Sequence, residues 1–263
     1  MTELSTVPAA SIAGIVFSLM LAIFFPIALC IYFYKKKGAR LSSFLLGCVT
    51  FFVSAILLEQ ILHTLVLGAF GTALTANNLL YALYGGVAAA VFEETGRYIA
   101  MKHFMKKNLT RQNALMYGAG HGGIEAILIV GMSYFANLAI ALMINDGQFA
   151  ASLTSMDADA QAAAVQSVSV LWTLPSYQFF MAGVERVQAI VLHIALSVLV
   201  FRAVKSSKMA FFWIAMGLHF LVDFSAVALS PYLPVWVLEL VVLVLVATAA
   251  VPAWKAYCRE ADE

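Results

Sequence analysis

The chain has 263 residues, of which 63% are hydrophobic and 11% are charged, and its formal net charge is +1. An ordinary soluble domain has roughly 25% charged residues, and the mean hydropathy of +0.93 is also far from that class. These values exclude a soluble globular protein, a disordered chain and a nucleic-acid-binding protein. The three cysteines are scattered without CxxC spacing, so they indicate neither a disulfide framework nor a cysteine-ligated metal.

Seven apolar stretches are long enough to cross a bilayer as helices. A span needs about 20 apolar residues, because each residue rises ~1.5 Å across a core ~30 Å thick. The stretches lack the alternating pattern of barrel strands. They cover residues 11–34, 41–68, 79–101, 112–144, 179–201, 209–229 and 235–254. We therefore predict an all-α bundle of about seven transmembrane helices, forming a single transmembrane domain over residues 1–263.

Basic residues predict how the bundle is oriented. Thirteen of the 15 lysines and arginines follow the first, third, fifth and seventh stretches, so they lie on one side. Loops rich in Lys and Arg stay in the cytoplasm, so we expect the N-terminus outside and the C-terminus in the cytoplasm. The helix ends that carry these residues are called the basic ends below. Their basic residues are Lys35, Lys36, Lys37, Arg40, Lys102, Lys106, Lys107, Arg111, Arg202, Lys205, Lys208, Lys255 and Arg259.

Five ionisable side chains inside the spans cannot face lipid. They are Glu93, Glu94, Arg97, Glu125 and Asp223. At ~2.5–3.5 kcal/mol each, their exposure to lipid would cost on the order of 12–17 kcal/mol, more than the ~5–15 kcal/mol by which a typical protein is stable. They must pair, be neutral or line a wet cavity.

Four polar side chains on four different spans share one predicted depth. Glu93, His121, His193 and His219 each lie about eight to ten residues from the basic end of their span, which is roughly 12–15 Å at ~1.5 Å per residue. Glycines surround His121, and small residues let membrane helices approach closely. We therefore expect one site, built from residues of about 79–144 and 179–229 and reached by water from the cytoplasmic half.

Two of these histidines have an acidic residue one helical turn away in the sequence. Glu125 follows His121 by four residues and Asp223 follows His219 by four, so each pair shares a helix face. A carboxylate one turn away can hold the tautomer of a histidine.

Other polar residues of the spans are expected to be structural. His63 is interpreted as a packing residue without an acidic partner. Glu185 and Arg186 are interpreted either as a pair within the bundle or, by preference, as an anchor at the membrane interface. Glu59 and Glu239 are expected to be paired locally or to reach toward the membrane surface.

Four runs together resemble the YhfC family of bacterial membrane proteins. They are FEETGRY (92–98), YGAGHGGIEAI (117–127), LHIALSVL (192–199) and GLHFLVDF (217–224). That family is grouped with the CAAX-protease and bacteriocin-processing (CPBP) enzymes and with PrsW, which are intramembrane proteases described as glutamic-type or as metalloproteases. The resemblance implies an integral protein of a bacterial cytoplasmic membrane that cleaves a peptide or membrane-protein substrate among lipids, with no nucleic-acid partner.

The motifs of these families fall on specific residues. The double glutamate corresponds to Glu93 and Glu94 and the basic residue to Arg97, which follows as in PrsW, where the CAAX proteases have one more intervening position. The second motif falls on Tyr117 and His121, with tyrosine in place of phenylalanine, and the third on His219 and Asp223.

The resemblance implies a hydrolytic mechanism. Glu93, with Glu94, would take a proton from the attacking water, and His121 and His219 would position that water or stabilise the oxyanion. Asp223 would orient His219. The supporting residues would be Arg97, which balances the glutamate charge, and Glu125 and His193.

Four alternatives remain open at this point, one of which is a non-catalytic relative that acts as a scaffold. No cofactor is assigned, but zinc held by His121, His193, His219 and Glu93 would also suit the residues, although no HExxH motif is present. Intramembrane carboxylates and histidines also occur in proton- or ion-coupled transporters, and two histidines can ligate haem.

Overall fold

The structure is a computed structural model and describes residues 4–259. No strand occurs in this part of the chain, and the all-α prediction is confirmed. The helices, in chain order, are α1 Ala9–Lys37, α2 Leu41–Phe51, α3 Gln60–Thr75, α4 Asn78–Ile99, α5 Arg111–Ala126, α6 Met132–Asn145, α7 Gln148–Leu153, α8 Ala158–Val168, α9 Val170–Thr173, α10 Tyr177–Ser206, α11 Ala210–Leu229 and α12 Val235–Arg259.

Short π-helical segments join or extend several of these helices. Phe52–Glu59 links α2 to α3, Ile127–Gly131 links α5 to α6, and Ala100–Met105 continues α4. The first two produce continuous rods of 35 residues each. π-Helical turns are rare and often lie at functional sites, and here they adjoin helices that carry Glu93 and Glu125.

Long helices occupy all seven stretches that the sequence predicted to cross the membrane. Within residues 4–259, six of them are long and apolar enough to span a bilayer. The helix α4, which carries Glu93, Glu94 and Arg97, is not among the six. The count of seven spans and the orientation of the termini therefore stay predictions. Three short helices, α7 to α9, form the connection between α6 and α10.

The long helix α10 is the centre of the bundle. It packs against α1, α5, α11 and α12, while α4 packs on α11 and α5 packs on α2. In its most apolar 18-residue stretch, 72% of the residues are buried. The helices α4, α5, α10 and α11 are therefore neighbours, and their side chains meet in the interior of the bundle.

Two glycines explain how closely α5 approaches α10. A Cβ atom added to Gly118 would lie 2.5 Å from Ile194 Cα, and one added to Gly122 would lie 3.0 Å from Ile190 Cα. No larger residue fits these positions without a shift of the backbone, because an ordinary carbon contact is ~3.5–4.0 Å. The glycines thus bring His121 on α5 next to His193 on α10, with ring centroids 4.9 Å apart.

Candidate active site

The site contains a buried ion pair between two residues of α4. Arg97 donates from Nη1 to both carboxylate oxygens of Glu94, at 2.8 and 3.1 Å, and neither side chain is exposed. His219 Nδ1 on α11 lies 2.8 Å from Glu94 Oε1. Because Glu94 is held from two helices, it joins α4 to α11, and the charge of Arg97 balances its own.

The adjacent Glu93 has a different partner. Its Oε2 lies 2.8 Å from His121 Nε2 on α5. The ring of His121 is fully buried and is enclosed by Phe51, edge-on at 5.3 Å, and Tyr117, stacked at 6.1 Å. Its second nitrogen, Nδ1, has no hydrogen-bond partner within residues 4–259. Successive residues of α4 therefore hold carboxylates in two different environments.

The imidazole of His193 has a polar partner at each nitrogen. Arg97 Nη2 lies 2.9 Å from Nδ1, and Glu125 Oε2 lies 2.6 Å from Nε2. A guanidinium can only donate hydrogen bonds and an ionised carboxylate can only accept them. The contacts therefore assign the neutral tautomer of His193 with its proton on Nε2.

The carboxylate of Glu125 is itself held by Arg186, a residue that the sequence interpretation placed at the membrane interface. Arg186 is buried; its Nη1 donates to Glu125 Oε1 at 2.8 Å and its Nε donates to Glu185 Oε2 at 2.7 Å. The interpretation as an interfacial anchor is therefore wrong. Arg186 precedes His193 by seven residues, two helical turns, and this spacing was the signal that both face the same site.

Asp223 completes the network at its exposed edge. His219 Nε2 lies 3.3 Å from Asp223 Oδ2, one turn further along α11, and about a third of the aspartate side chain (35%) is exposed. Both nitrogens of His219 thus face carboxylate oxygens.

The structure brings all eight sequence-predicted site residues into one cluster from four helices. Six of them are joined by short polar contacts, and the pair of Glu93 and His121 adjoins these six, with Glu93 Oε2 3.9 Å from His193 Nδ1. Their catalytic and supporting roles stay a prediction. The residues are Glu93, Glu94, Arg97, His121, Glu125, His193, His219 and Asp223.

Other polar residues of the spans also have partners. His63 is bonded to Tyr84, at 2.7 Å, and to Glu59, at 3.2 Å, so the expectation that it lacks an acidic partner is wrong. Glu239 accepts a hydrogen bond from Gln188 at 3.1 Å.

Three of the four residues considered as metal ligands form a compact donor set. One potential ligand atom from each of Glu93, His121 and His193 lies within 4.8 Å of the other two, and all three residues are buried. Two histidines and a glutamate are a known zinc-ligand combination in catalytic sites, so the residues fit such an ion. His219 is outside this set in the described part of the chain, and its nitrogens face Glu94 and Asp223 instead.

A polar cavity of about 400 Å³ adjoins the network between α10, α11 and α12. Glu93, His193 and His219 lie at one end, and Gln178 and Val235 line the other. That second end lies away from the basic ends, whereas the sequence predicts that water enters from the cytoplasmic half, and the side of entry stays a prediction.

Comparison with known proteins gives the family. A family model described as "YhfC intramembrane metalloprotease" matches residues 20–245. The chain is also 40% identical over 209 residues to "Uncharacterized membrane protein YhfC" of Bacillus subtilis (strain 168), covering 79% of this chain and 80% of the relative. No solved structure matches the chain. From these matches and the apolar helices, the chain is an integral membrane protein that belongs to the YhfC intramembrane metalloprotease family.

Proposed function

We propose that the chain is an intramembrane endopeptidase in which Glu93 activates the water that attacks a peptide bond. The observation that carries this proposal is the division between the two adjacent glutamates. Glu94 is bonded to Arg97 and His219, whereas Glu93 is bonded to His121 and lines the polar cavity. A general base must reach the proton that it removes, and Glu93 lies where water can enter.

Each remaining residue has a role that follows from its contacts. Glu93 takes the proton of the attacking water and returns it to the leaving amine nitrogen. His219 lines the same cavity. Its contact with Asp223, at 3.3 Å, is longer than its contact with Glu94, at 2.8 Å. We propose that His219 Nε2 gives up its contact with Asp223 during the reaction and donates a hydrogen bond to the oxyanion instead. Such a donor contributes several kcal/mol, about 2.7–4 kcal/mol in measured cases.

The second group of residues holds the geometry. Arg97 joins Glu94 to His193, and Glu125 fixes the ring of His193 from the opposite side. The four helices cannot separate at this level without breaking charged hydrogen bonds. In this proposal, Arg97, Glu125 and His193 position the reacting groups.

A zinc-dependent protease is the second candidate, and the donor set of Glu93, His121 and His193 favours it. A bound zinc ion would polarise the attacking water and the scissile carbonyl. One contact favours the metal-free form. Arg97 donates a hydrogen bond to His193 Nδ1, the nitrogen that lies 3.9 Å from Glu93 Oε2. The lone pair that a zinc ion would use at this nitrogen is therefore already engaged by the guanidinium.

The experiment is a comparison of newly formed peptide termini. Purified protein is reconstituted with membranes from a Bacillus subtilis strain that lacks its YhfC relative, and mass spectrometry identifies the termini that appear. We expect termini that form with the wild-type protein and are lost with Glu93→Gln. The control is Asp159→Asn, which changes an exposed acid in the first turn of α8, in the connection between α6 and α10, and should leave the cleavage pattern intact. Identical termini with the wild type and Glu93→Gln would refute the proposal.

A further inference from the structure

The cavity that adjoins the site extends along only one half of each helix that lines it. It is lined by the first half of α10, the second half of α11 and the first half of α12. These are the halves that lie away from the basic ends of the same helices. The lining residues used below are Ala182, Glu185, Arg186, Ala189, Asp223 and Glu239.

Two carboxylates of the cavity wall are partly exposed. About a third of the side chains of Glu185 and Asp223 is exposed, at 34% and 35%, whereas the exposed fraction is 4% at His193. Glu185 lies two helical turns before His193 on α10, farther from the basic end of that helix. The cavity therefore has an exposed carboxylate on the side away from the basic ends.

The opposite side of the site is filled with apolar side chains. Between the histidines and the basic ends lie Met101 on the π-helical extension of α4 and Leu196, Leu199 and Phe201 on α10, none of which is exposed. Phe212 on α11 packs in the same cluster. These side chains lie between the site and the basic ends of α4, α10 and α11. Among the described residues of α10 that line the polar cavity, His193 is the last one in this direction.

The cavity wall is also polar enough to hold water. Arg186 is bonded to Glu185 and Glu125, and Glu239 accepts from Gln188. A buried water needs roughly two to four polar partners, and this wall offers carboxylates and a guanidinium from α5, α10 and α12. The carboxylates of Glu185, Asp223 and Glu239 outnumber the single guanidinium, so the wall favours neutral or basic peptide segments over acidic ones.

We propose that water and the peptide substrate reach the site from the face opposite the basic ends, through the gap between α10, α11 and α12. Under the predicted orientation, this face is the extracytoplasmic one. The substrate would be a membrane-protein segment or peptide presented on that side. The substrate part rests on the proposed protease function, whereas the route of water is independent of it.

The test is cysteine labelling on both sides of His193. The native residues Cys30, Cys48 and Cys258 are first replaced by alanine. Ala189→Cys places a thiol one turn from His193 on the cavity side, and Ser197→Cys places one a turn away on the apolar side. The two positions lie on the same helix at the same distance in sequence, so they are matched. The probe is a membrane-impermeant, cationic methanethiosulfonate reagent.

Two reference variants identify the faces. Ser42→Cys lies at an exposed position at the start of α2, beside the basic Arg40, and Ser155→Cys lies at an exposed position in the connection between α6 and α10. Labelling is measured in right-side-out and in inverted membrane vesicles. Labelling after denaturation gives the total of available thiols in each variant.

We expect Ala189→Cys to react at least ten times faster in the vesicle orientation that labels Ser155→Cys than in the other one. Ser197→Cys should react in neither orientation. Reaction of Ala189→Cys from the side that labels Ser42→Cys, from both sides or from neither would overturn the proposal. If Ala189→Cys fails to fold, Ala182→Cys, also on the cavity wall, replaces it. Absence of proteolysis alone would overturn the proposed function and leave the labelling result standing.

Discussion

Arg97 and Glu94 form a fully buried ion pair three residues apart on one helix, with Nη1 at 2.8 and 3.1 Å from the two carboxylate oxygens. Because of this pair, two adjacent glutamates that look equivalent in the sequence have different partners. The carboxylate of Glu94 is bonded to Arg97 and His219 within the protein. Glu93 faces His121 and the cavity.

The two glutamates should therefore respond differently to the same substitution. We expect Glu93→Gln to lower cleavage by at least about 10²-fold, the lower range for loss of a general base, with little change in thermal stability. Glu94→Gln should destabilise the protein by about 3–5 kcal/mol, because it leaves Arg97 as an uncompensated buried charge. The measurements are cleavage rate and thermal unfolding of the reconstituted protein. Equal loss of stability in both variants would contradict the division of roles.

Arg186 is expected to act through Glu125 on His193. Arg186→Met removes the donor that holds Glu125, which then no longer fixes the ring of His193. We expect kcat to fall roughly 10–100-fold, the range seen when such orienting partners of metal-site histidines are lost, with KM little changed. Arg186→Lys should recover only part of the rate, because an ammonium lacks the planar fork that bridges Glu125 and Glu185. A KM effect alone would show that Arg186 binds substrate instead.

The contact between α5 and α10 should tolerate no added methyl group at Gly118. Its Cβ would lie 2.8 Å from the His193 carbonyl oxygen. We therefore expect Gly118→Ala to destabilise the protein by about 1–3 kcal/mol, the cost of overpacking, and to reduce cleavage by separating His121 from His193.

The matched control for this substitution is Gly85→Ala. A Cβ at Gly85 meets no atom within 4 Å in the described part of the chain. It should leave the stability unchanged or raise it by up to ~1 kcal/mol, as alanine favours a helix over glycine. Equal destabilisation by both substitutions, measured by thermal unfolding, would argue against close packing as the cause.

Metal content and the effect of a chelator on cleavage distinguish the two proposed mechanisms. Because Arg97 already contacts His193 Nδ1, we expect the purified protein to contain less than one zinc per chain and to cleave equally well with 1,10-phenanthroline. Metal content is measured by plasma mass spectrometry before and after the chelator. Stoichiometric zinc that is lost in His121→Ala, together with inhibition by the chelator, would support the zinc candidate instead.

Much of the site could be predicted from the sequence because burial of charge in lipid is so costly. Glu93, Glu94, Arg97 and Asp223 had to find partners inside the bundle, and equal depth brought in the histidines. Arg186 was misassigned because it lies nearer the other end of its helix. Depth along one helix does not reveal which neighbouring helix supplies a carboxylate.

The position of the polar cavity was also beyond sequence reasoning. Equal distances from the basic ends placed Glu93 and the three histidines correctly at one level, but they do not show which half of the bundle is packed. That depends on whether side chains of different helices interdigitate, as Met101, Leu196 and Phe201 do, or leave the cavity beyond His193.

By itself, the sequence determined that the chain is a helical membrane protein and that its ionisable groups had to meet, since apolar length and the cost of charge in lipid depend on composition and spacing alone. Only the tertiary structure decided which glutamate is paired with Arg97, which histidine nitrogens meet donors or acceptors, and which half of the bundle holds the polar cavity. These outcomes depend on contacts between helices distant in sequence, where a rotation of a single helix changes every partner.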